Sequence, residues 1–372
     1  MTEILTTTLV ITLISAAFAV LLSIADKYLN DYGEVLLSIN GGDKELTVDG
    51  GNTLLSTLVD QKIFIPSACG GKGTCGYCKC KVESGGGPVL ATEKPWLSEE
   101  EMANNTRLSC QVKVKEDIKI IIPEELFNVK EYHTVVEEVE PMTDVISKFR
   151  FKLPEGETIA FKPGQFVQLI TKEYAGGKDF EGQDEAVMRA YSVASSIKDE
   201  KHIELLIGYT KGIATTYAHK ILEEGDDVTI TGPFGDFYYK DDDRDEILMV
   251  AAGTGFAPIR SILYHMLDND IKKKARFYFG ARSQEDLFLL DEMKMFEEKL
   301  HDFKFLPTLS REPEDSDWSG DRGRVNNSID KYVDEDKTYT AYLCGSPIMI
   351  EGIVKSLKDK KVDEDFIYFD EF

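Results

Sequence analysis

The sequence predicts a multidomain protein: an N-terminal transmembrane helix, a small cysteine-bearing domain, an antiparallel β-barrel and an open α/β sheet. Three observations carry this prediction. Residues 4–25, ILTTTLVITLISAAFAVLLSIA, contain no charged side chain. Ser67 to Cys80 reads SACGGKGTCGYCKC, a glycine-rich loop holding cysteines at C-x5-C-x2-C spacing. Beyond residue 134, short alternating strands at regular intervals give way to a strand, a glycine turn and a helix, then to alternating strands and helices.

At 372 residues the chain exceeds one ordinary core and has room for two or three domains. Its 67 acidic against 43 basic residues leave a net charge of −24. So acidic a surface argues against nucleic-acid binding and against adhesion to anionic lipid headgroups. The acid excess runs along the whole chain and reads as solvated surface. Five of the six cysteines cluster by sequence or motif, which leaves no disulfide framework and fits a reducing compartment.

Residues 4–25 have the length of a helix that spans the hydrocarbon core. A secretory signal is the competing reading, but Glu3 stands where a basic n-region belongs, and the apolar run exceeds a typical h-region. An uncleaved single-pass anchor is expected.

In the cysteine loop, Gly70, Gly71, Gly73 and Gly76 let the backbone take positive φ and bring N–H groups close to an inorganic cluster. With the distant Cys110 there are four thiols, the number a [2Fe–2S] cluster requires. The plant-type pattern has a first gap one residue shorter. A four-cysteine zinc site is the alternative, though zinc ribbons usually bring two C-x2-C knuckles and Cys110 arrives alone. Cys69, Cys75, Cys78 and Cys110 are the expected metal ligands. Cys80 shares a strand face with Cys78, which makes it either a packed apolar group behind the cluster, the expected reading, or an alternative ligand.

Around that loop, alternating runs at 35–40 and 45–48 meet across Gly41-Gly42 as a hairpin. Thr53 caps a short amphipathic helix bearing Leu54, Leu55 and Leu58. A strand follows at 79–84, then a short acidic helix at 97–105. A strand at 107–111 carries Cys110, and alternation at 113–120 closes the domain. This order resembles the β-grasp fold of [2Fe–2S] ferredoxins, and the four cysteines match that family's ligands.

Residues 123–132 read as a linker. Strands at 147–153, 165–170 and 203–209 suggest an antiparallel barrel. Within it stands Arg189-Ala190-Tyr191-Ser192. An arginine can grip a pyrophosphate, a tyrosine ring can cover a flavin and a serine can bond its edge. Gly212, Thr215 and Thr216 then open a helix whose first N–H groups can meet phosphate oxygens. The two motifs in this order resemble the ferredoxin–NADP⁺ reductase superfamily, where the first cups the isoalloxazine and the second binds the FAD pyrophosphate. Residues 232–237, GPFGDF, fit that superfamily's last barrel strand, and residues 172–188 read as a mobile loop beside the flavin.

ILMVA at 247–251 is a continuous apolar run suited to a buried parallel strand. It feeds Gly253-Thr254-Gly255 and Pro258, a G-x-G-x-x-P turn into a helix at 259–267, where a dinucleotide pyrophosphate can approach the backbone. Later strands end in Gly280-Ala281-Arg282 and in Cys344-Gly345-Ser346-Pro347. In the superfamily the C-G-x-P motif lies beside the nicotinamide. The resemblance thus implies a catalytic set of Cys344, Ser192 and Phe372, the last, or Phe369 in its place, an aromatic near the C-terminus that covers the flavin's nicotinamide face. Arg282 and Arg311 are each followed by acid, and Trp318-Ser319-Gly320 resembles the NADH-using branch, so NADH is the expected donor.

The full order of anchor, [2Fe–2S] domain, FAD domain and NAD domain resembles the F subunits of sodium-translocating NADH:quinone oxidoreductases. The stretches SACGG, SGGG, RAYS, GPFG, YFGAR and YFDEF carry the likeness. The resemblance implies NADH oxidation through FAD and the cluster to other subunits of a membrane redox complex, with quinone reached indirectly. It also implies a bacterial inner membrane location, with the soluble domains facing the cytoplasm. Sodium translocation would belong to the partners, because the apolar segment holds no ionisable group. Two other readings stay open. One is the reductase component of a multicomponent oxygenase, which needs no anchor. The other is a membrane-tethered ferredoxin whose reductase half only docks.

Overall fold

The computed structural model describes residues 8, 11–19, 21, 32–123, 126 and 129–372. It divides into two compact units, Met1–Asn128 and Val129–Phe372. Half of the expected membrane span lies outside the described residues. Of it, residues 8, 11–19 and 21 are helical, with Ile11, Leu13, Ile14, Phe18 and Leu21 exposed. Among the described residues, no helix is long and apolar enough to cross a membrane.

In the first unit, β1 (Glu34–Ile39) and β2 (Lys44–Asp49) form the expected hairpin, reversing at Gly41 with φ +72°. Thr53 Oγ1 accepts the N–H of Ser56 and starts α1 (Leu54–Asp60), which buries Leu54, Leu55 and Leu58. After the cysteine loop come β3 (Lys79–Ser84), α2 (Glu99–Ala103), β4 (Thr106–Leu108) and β5 (Ile118–Ile121). The sheet order is β2-β1-β5-β3-β4, with β5 parallel to β1 and antiparallel to β3. A helix on a sheet whose first and last strands run parallel is the β-grasp arrangement. Leu37, Ile39, Leu54, Leu58, Ile118 and Ile120 are fully buried between the two layers.

Two local expectations shift. The acidic helix is shorter than residues 97–105, because a capping box between Ser98 and Glu101 fixes its start and Asn105, at φ +59°, ends it. The strand expected to carry Cys110 stops at Leu108, so Cys110 sits in the turn beyond it.

The second unit begins with β6 (Lys130–Pro141), β7 (Ile146–Lys152), β8 (Phe166–Ile170), β9 (Met188–Ser192) and β10 (His202–Gly208). Helix α3 (Ile213–Thr216) continues as a π turn over Tyr217–Ile221 and leads to β11 (Asp227–Phe234). The antiparallel order is β10-β7-β6-β11-β8-β9. A bridge between Val193 and Leu205 brings the two outer strands together and closes the barrel. Closure removes the open edges. Phe149, Phe151, Val167, Leu169, Ile203, Leu205 and Ile230 fill the interior.

The chain then alternates: β12 (Glu246–Ala252), α4 (Phe256–Asp268), β13 (Lys274–Ala281), α5 (Leu290–Lys299), β14 (Asp302–Leu309) and the short β15 (Asp321–Arg322). After these come α6 (Val325–Tyr332), β16 (Tyr339–Gly345), α7 (Pro347–Asp359) and β17 (Ile367–Glu371). Every pairing is parallel, in the order β15-β14-β13-β12-β16-β17. One apolar cluster covers each face of the sheet, which is why β12 and β16 are buried along nearly their whole length. Strand order reverses between β12 and β16. Open parallel sheets bind ligands at the carboxyl ends of the strands flanking such a switch.

Candidate functional site

In the first unit the cysteine sulfurs stand as two pairs. Cys75 Sγ donates to Cys69 Sγ at 3.4 Å, and Cys78 interacts likewise with Cys110. The contact within each pair drives the two thiols apart: it lowers Cys69 and raises Cys75, and it lowers Cys110 while Cys78 rises. Among the described residues no three His, Cys, Asp or Glu side chains converge as a site for one ion. Two cysteine pairs, one within the loop and one joining the loop to the turn after β4, fit a group with two irons.

Gly70, Gly71, Gly73 and Gly76 all have positive φ. At two of them the space is closed as well. A Cβ on Gly73 would stand 2.7 Å from Gln111 Nε2, and one on Gly76 would stand 3.0 Å from the Trp96 ring. Gln111 Nε2 itself faces Cys110 Sγ at 3.6 Å. The loop is thus folded tightly from both sides.

Cys80 is buried in the apolar core of this unit, and burial pushes its thiol up to about 12. Behind it lies a pair that sequence reading missed. Arg107 and Glu93, both buried, bond through Nε–Oε1 at 2.9 Å and Nη2–Oε2 at 2.6 Å. Glu93 also accepts the N–H groups of Leu90 and Leu108, and Arg107 donates to the carbonyls of Gly86 and Gly87. The SGGG loop is thereby locked to the strand that leads to Cys110.

In the second unit, β9 carries Arg189, Tyr191 and Ser192, all half-buried, with Ser192 opposite Phe166 on β8. Arg189 Nη1 donates to Met188 O, and its guanidinium makes no ion pair among the described residues. In so acidic a protein, such a cation on a barrel strand fits an anionic ligand. Burial raises the Tyr191 phenol, keeping it neutral. Gly212 caps α3, and Thr215 Oγ1 accepts from Thr210 N and donates to Gly212 O. Thr216 is buried one residue on. The loop at 172–188 is better packed than expected, because Tyr174 is buried against Tyr217 and Phe180 and donates to Ile213 O.

At the switch point, Gly253 takes φ +56° with open space on its Cβ side. Gly255 is the opposite: a Cβ there would stand 2.4 Å from Cys344 O. Phe256, wholly buried, anchors the first turn of α4 among Phe277, Phe279 and Phe288, with ring centroids 5.0–5.2 Å away. Pro258 sits in that first turn. Cys344 is buried at the end of β16, where burial raises its thiol well above the usual range. Gly345 follows, and its carbonyl accepts the N–H of Phe372, whose ring is exposed. A Cβ on Gly208, at the end of β10, would stand 3.3 Å from the Thr254 methyl, so the barrel rim touches the glycine turn.

Most basic groups near the ends of β13 and β14 are committed. Arg282 is held by Asp286 at 2.6 and 2.9 Å, and Arg322 donates to the carbonyls of Trp318 and Pro313. Arg311 makes no ion pair among the described residues. Glu312 and Asp317 both accept from Gln284. Among the described residues here, Asp286, Glu312 and Asp317 outnumber the single unpaired Arg311, which weighs against a 2′-phosphate.

Comparison with known proteins matches three successive family models. They are a 2Fe-2S iron-sulfur cluster binding domain over residues 37–115, an oxidoreductase FAD-binding domain over 133–239 and an oxidoreductase NAD-binding domain over 249–355. The protein is therefore an iron–sulfur flavoprotein oxidoreductase of the ferredoxin–NADP⁺ reductase superfamily, with [2Fe–2S], FAD and NAD as its cofactors. The Na(+)-translocating NADH-quinone reductase F subunit of Neisseria meningitidis serogroup B is 34% identical across 100% of this chain and 99% of its own length. The corresponding F subunit of Marinomonas sp. is 34% identical across 100% and 98%. The chain belongs to the family of these F subunits. Among solved structures, a cytochrome P450 reductase of Amycolatopsis is 26% identical, covers 91% of this chain and 98% of its own, and has a TM-score of 0.71. The ferredoxin reductase of a carbazole 1,9a-dioxygenase shares the fold at 23% identity, with the same coverage and a TM-score of 0.67.

Proposed function

We propose that this chain is the NADH-oxidising subunit of a membrane redox complex, passing electrons to partner subunits and through them to quinone. The observation that carries the reading is the meeting of the G-x-G-x-x-P turn and the Cys344-Gly345 strand end at the β12/β16 switch, beside a closed barrel bearing Arg189, Tyr191 and Ser192. FAD supplies hydride acceptance and the [2Fe–2S] cluster supplies one-electron release. The protein's part is to bind and to orient. Gly253, Thr254, Gly255, Pro258 and Gly345 seat the dinucleotide. Arg189, Gly212, Thr215 and Thr216 hold the flavin's phosphates, and Tyr191 and Ser192 line its ring. Cys344 walls the hydride path as a neutral thiol, and Phe372 covers the ring's open face. Cys69, Cys75, Cys78 and Cys110 hold the cluster.

Residues 4–25 serve as a single anchor in the bacterial inner membrane, with the remainder in the cytoplasm. Domain limits fall at 1–30, 31–126, 127–243 and 244–372. Sodium movement belongs to the partners. An oxygenase reductase shares the three cofactor domains but has no use for the anchor, so tethering separates the two readings. A merely docking reductase half would not bind and orient NADH. The test is anaerobic addition of NADH to the purified full-length chain: flavin and cluster absorbance should bleach and a reduced-cluster EPR signal should appear. Failure to bleach would overturn the reading.

A further inference from the structure

We propose that Arg260 and Ser261 latch the nucleotide-binding helix α4 onto the exit of the flavin strand β9, and that Arg260 is thereby a positioning residue for hydride transfer. The inference rests on the NADH-to-FAD reading above. Neither residue belongs to any motif that binds a cofactor. Both lie directly after the glycine turn, on the helix the turn opens, and both are buried.

Strand β9 ends at Ser192, and its next residues run along α4 rather than into solvent. Arg260 Nη1 donates to Ala194 O at 2.8 Å, and Ser261 Oγ donates to Ser195 O at 2.9 Å. About two turns further along the helix, at its last residue, Lys198 Nζ donates to Asp268 O at 2.7 Å, and Ser196 Oγ donates to the Asp268 carboxylate. The segment after the flavin motif is therefore fastened to α4 at both of its ends.

Arg260 also ties three elements at once. Its Nη1 reaches Glu204 Oε2 on β10 at 2.6 Å, and its Nε reaches Glu292 Oε1 on α5 at 2.7 Å. Glu204 bonds in turn to Arg150 on β7 at 2.7 Å, so the barrel wall is braced from two strands. A planar guanidinium bonded on several edges fixes direction as well as distance, which an ammonium group cannot do. The groups that bring a hydride donor and acceptor together come from two layers that also share an apolar cluster, and these bonds add a directional connection to it. Misplacement by about 1 Å costs on the order of a hundredfold in rate.

The test uses full-length, FAD-loaded R260K and S261A, since removing the whole Arg260 side chain risks unfolding a buried pair. Stopped-flow bleaching of the flavin at saturating NADH is expected to slow about tenfold or more in R260K. The primary deuterium isotope effect should rise and the NADH dissociation constant should stay near that of the wild type. S261A should show the same pattern, more weakly. Independently, backbone amides of residues 193–198 should exchange hydrogen faster in R260K. A wild-type bleaching rate in R260K overturns the proposal even if its melting temperature falls, because the latch is then structural only. So does a slower rate with unchanged exchange at 193–198, because the effect then travels by another route. Wild-type protein that does not bleach at all would overturn the broader functional reading, a distinct result.

Discussion

Gly255 and Cys344 are in backbone contact: the site of a Cβ on the glycine lies 2.4 Å from the cysteine's carbonyl oxygen. The glycine turn is seated on the end of β16 with no room for one methyl group. Gly255→Ala must push the turn, and with it the start of α4, away from that strand. The expected result is a loss of about a hundredfold in kcat/KM for NADH, with FAD and iron content unchanged. Steady-state assays with flavin and iron quantitation on the same preparation check this.

The pairing of sulfurs separates ligand from neighbour. Cys69→Ala or Cys110→Ala should abolish the reduced-cluster EPR signal while NADH still bleaches the flavin. Cys80→Ser should keep the signal, because Cys80 packs into the apolar core with Arg107 and Glu93 behind it. A Cys80 variant without a cluster, beside a Cys78 variant that retains one, would reverse the assignment.

Arg189 is the cation on the flavin strand without a carboxylate partner among the described residues. A hydrogen bond to a charged group is worth roughly 1.5–3 kcal/mol. Arg189→Ala should accordingly weaken FAD binding by about ten- to a hundredfold, measured by fluorescence titration of the deflavinated protein.

Glu93 gives the first unit a built-in acid sensitivity. Burial alone would raise its carboxyl, but bonds from Arg107 and from the N–H groups of Leu90 and Leu108 hold it below the ordinary value of 4.5. A carboxylate depressed in the folded state contributes stability that is full above its unfolded pKa and is lost as pH falls through its folded value. Melting temperature followed from pH 6 to pH 3 should fall more steeply in the wild type than in Glu93→Gln. At neutral pH, Arg107→Ala should cost about 3–5 kcal/mol by stranding a buried charge.

Asp286 occupies the one arginine that follows the YFGA strand end. Asp286→Asn releases Arg282 and should raise use of NADPH relative to NADH, on the order of tenfold for one charged hydrogen bond. A ratio of specificity constants unchanged from the wild type would place the 2′ position elsewhere.

What could be read from the sequence was whatever is local. The C-x5-C-x2-C loop, the Gly41 hairpin, the evenly spaced strands from residue 147 and the ILMVA run into G-x-G-x-x-P are each short-range signals, and the β-grasp, barrel and open sheet follow from them. What escaped depends on partners far apart in the chain. Glu93, Glu204 and Arg260 read as ordinary charged surface in an acidic chain, yet each is buried against a partner on another element. Nothing near Tyr174 announces its burial under the π turn. Boundaries shifted where caps decided them, as at Ser98 and Asn105.

The parallel pairing of β1 with β5 also sets a timetable for biosynthesis. Leu37 pairs with Ile118, and β3 takes its main partner from β5 as well. On the ribosome, Cys69, Cys75 and Cys78 emerge before Cys110, and all four emerge before the strand that completes the sheet. A nascent chain therefore carries its thiols through a period when no finished fold shields them. The sheet that frames this unit closes only once residues 118–121 have left the ribosome, so iron delivery is expected after that point, with a reducing environment mattering most before it.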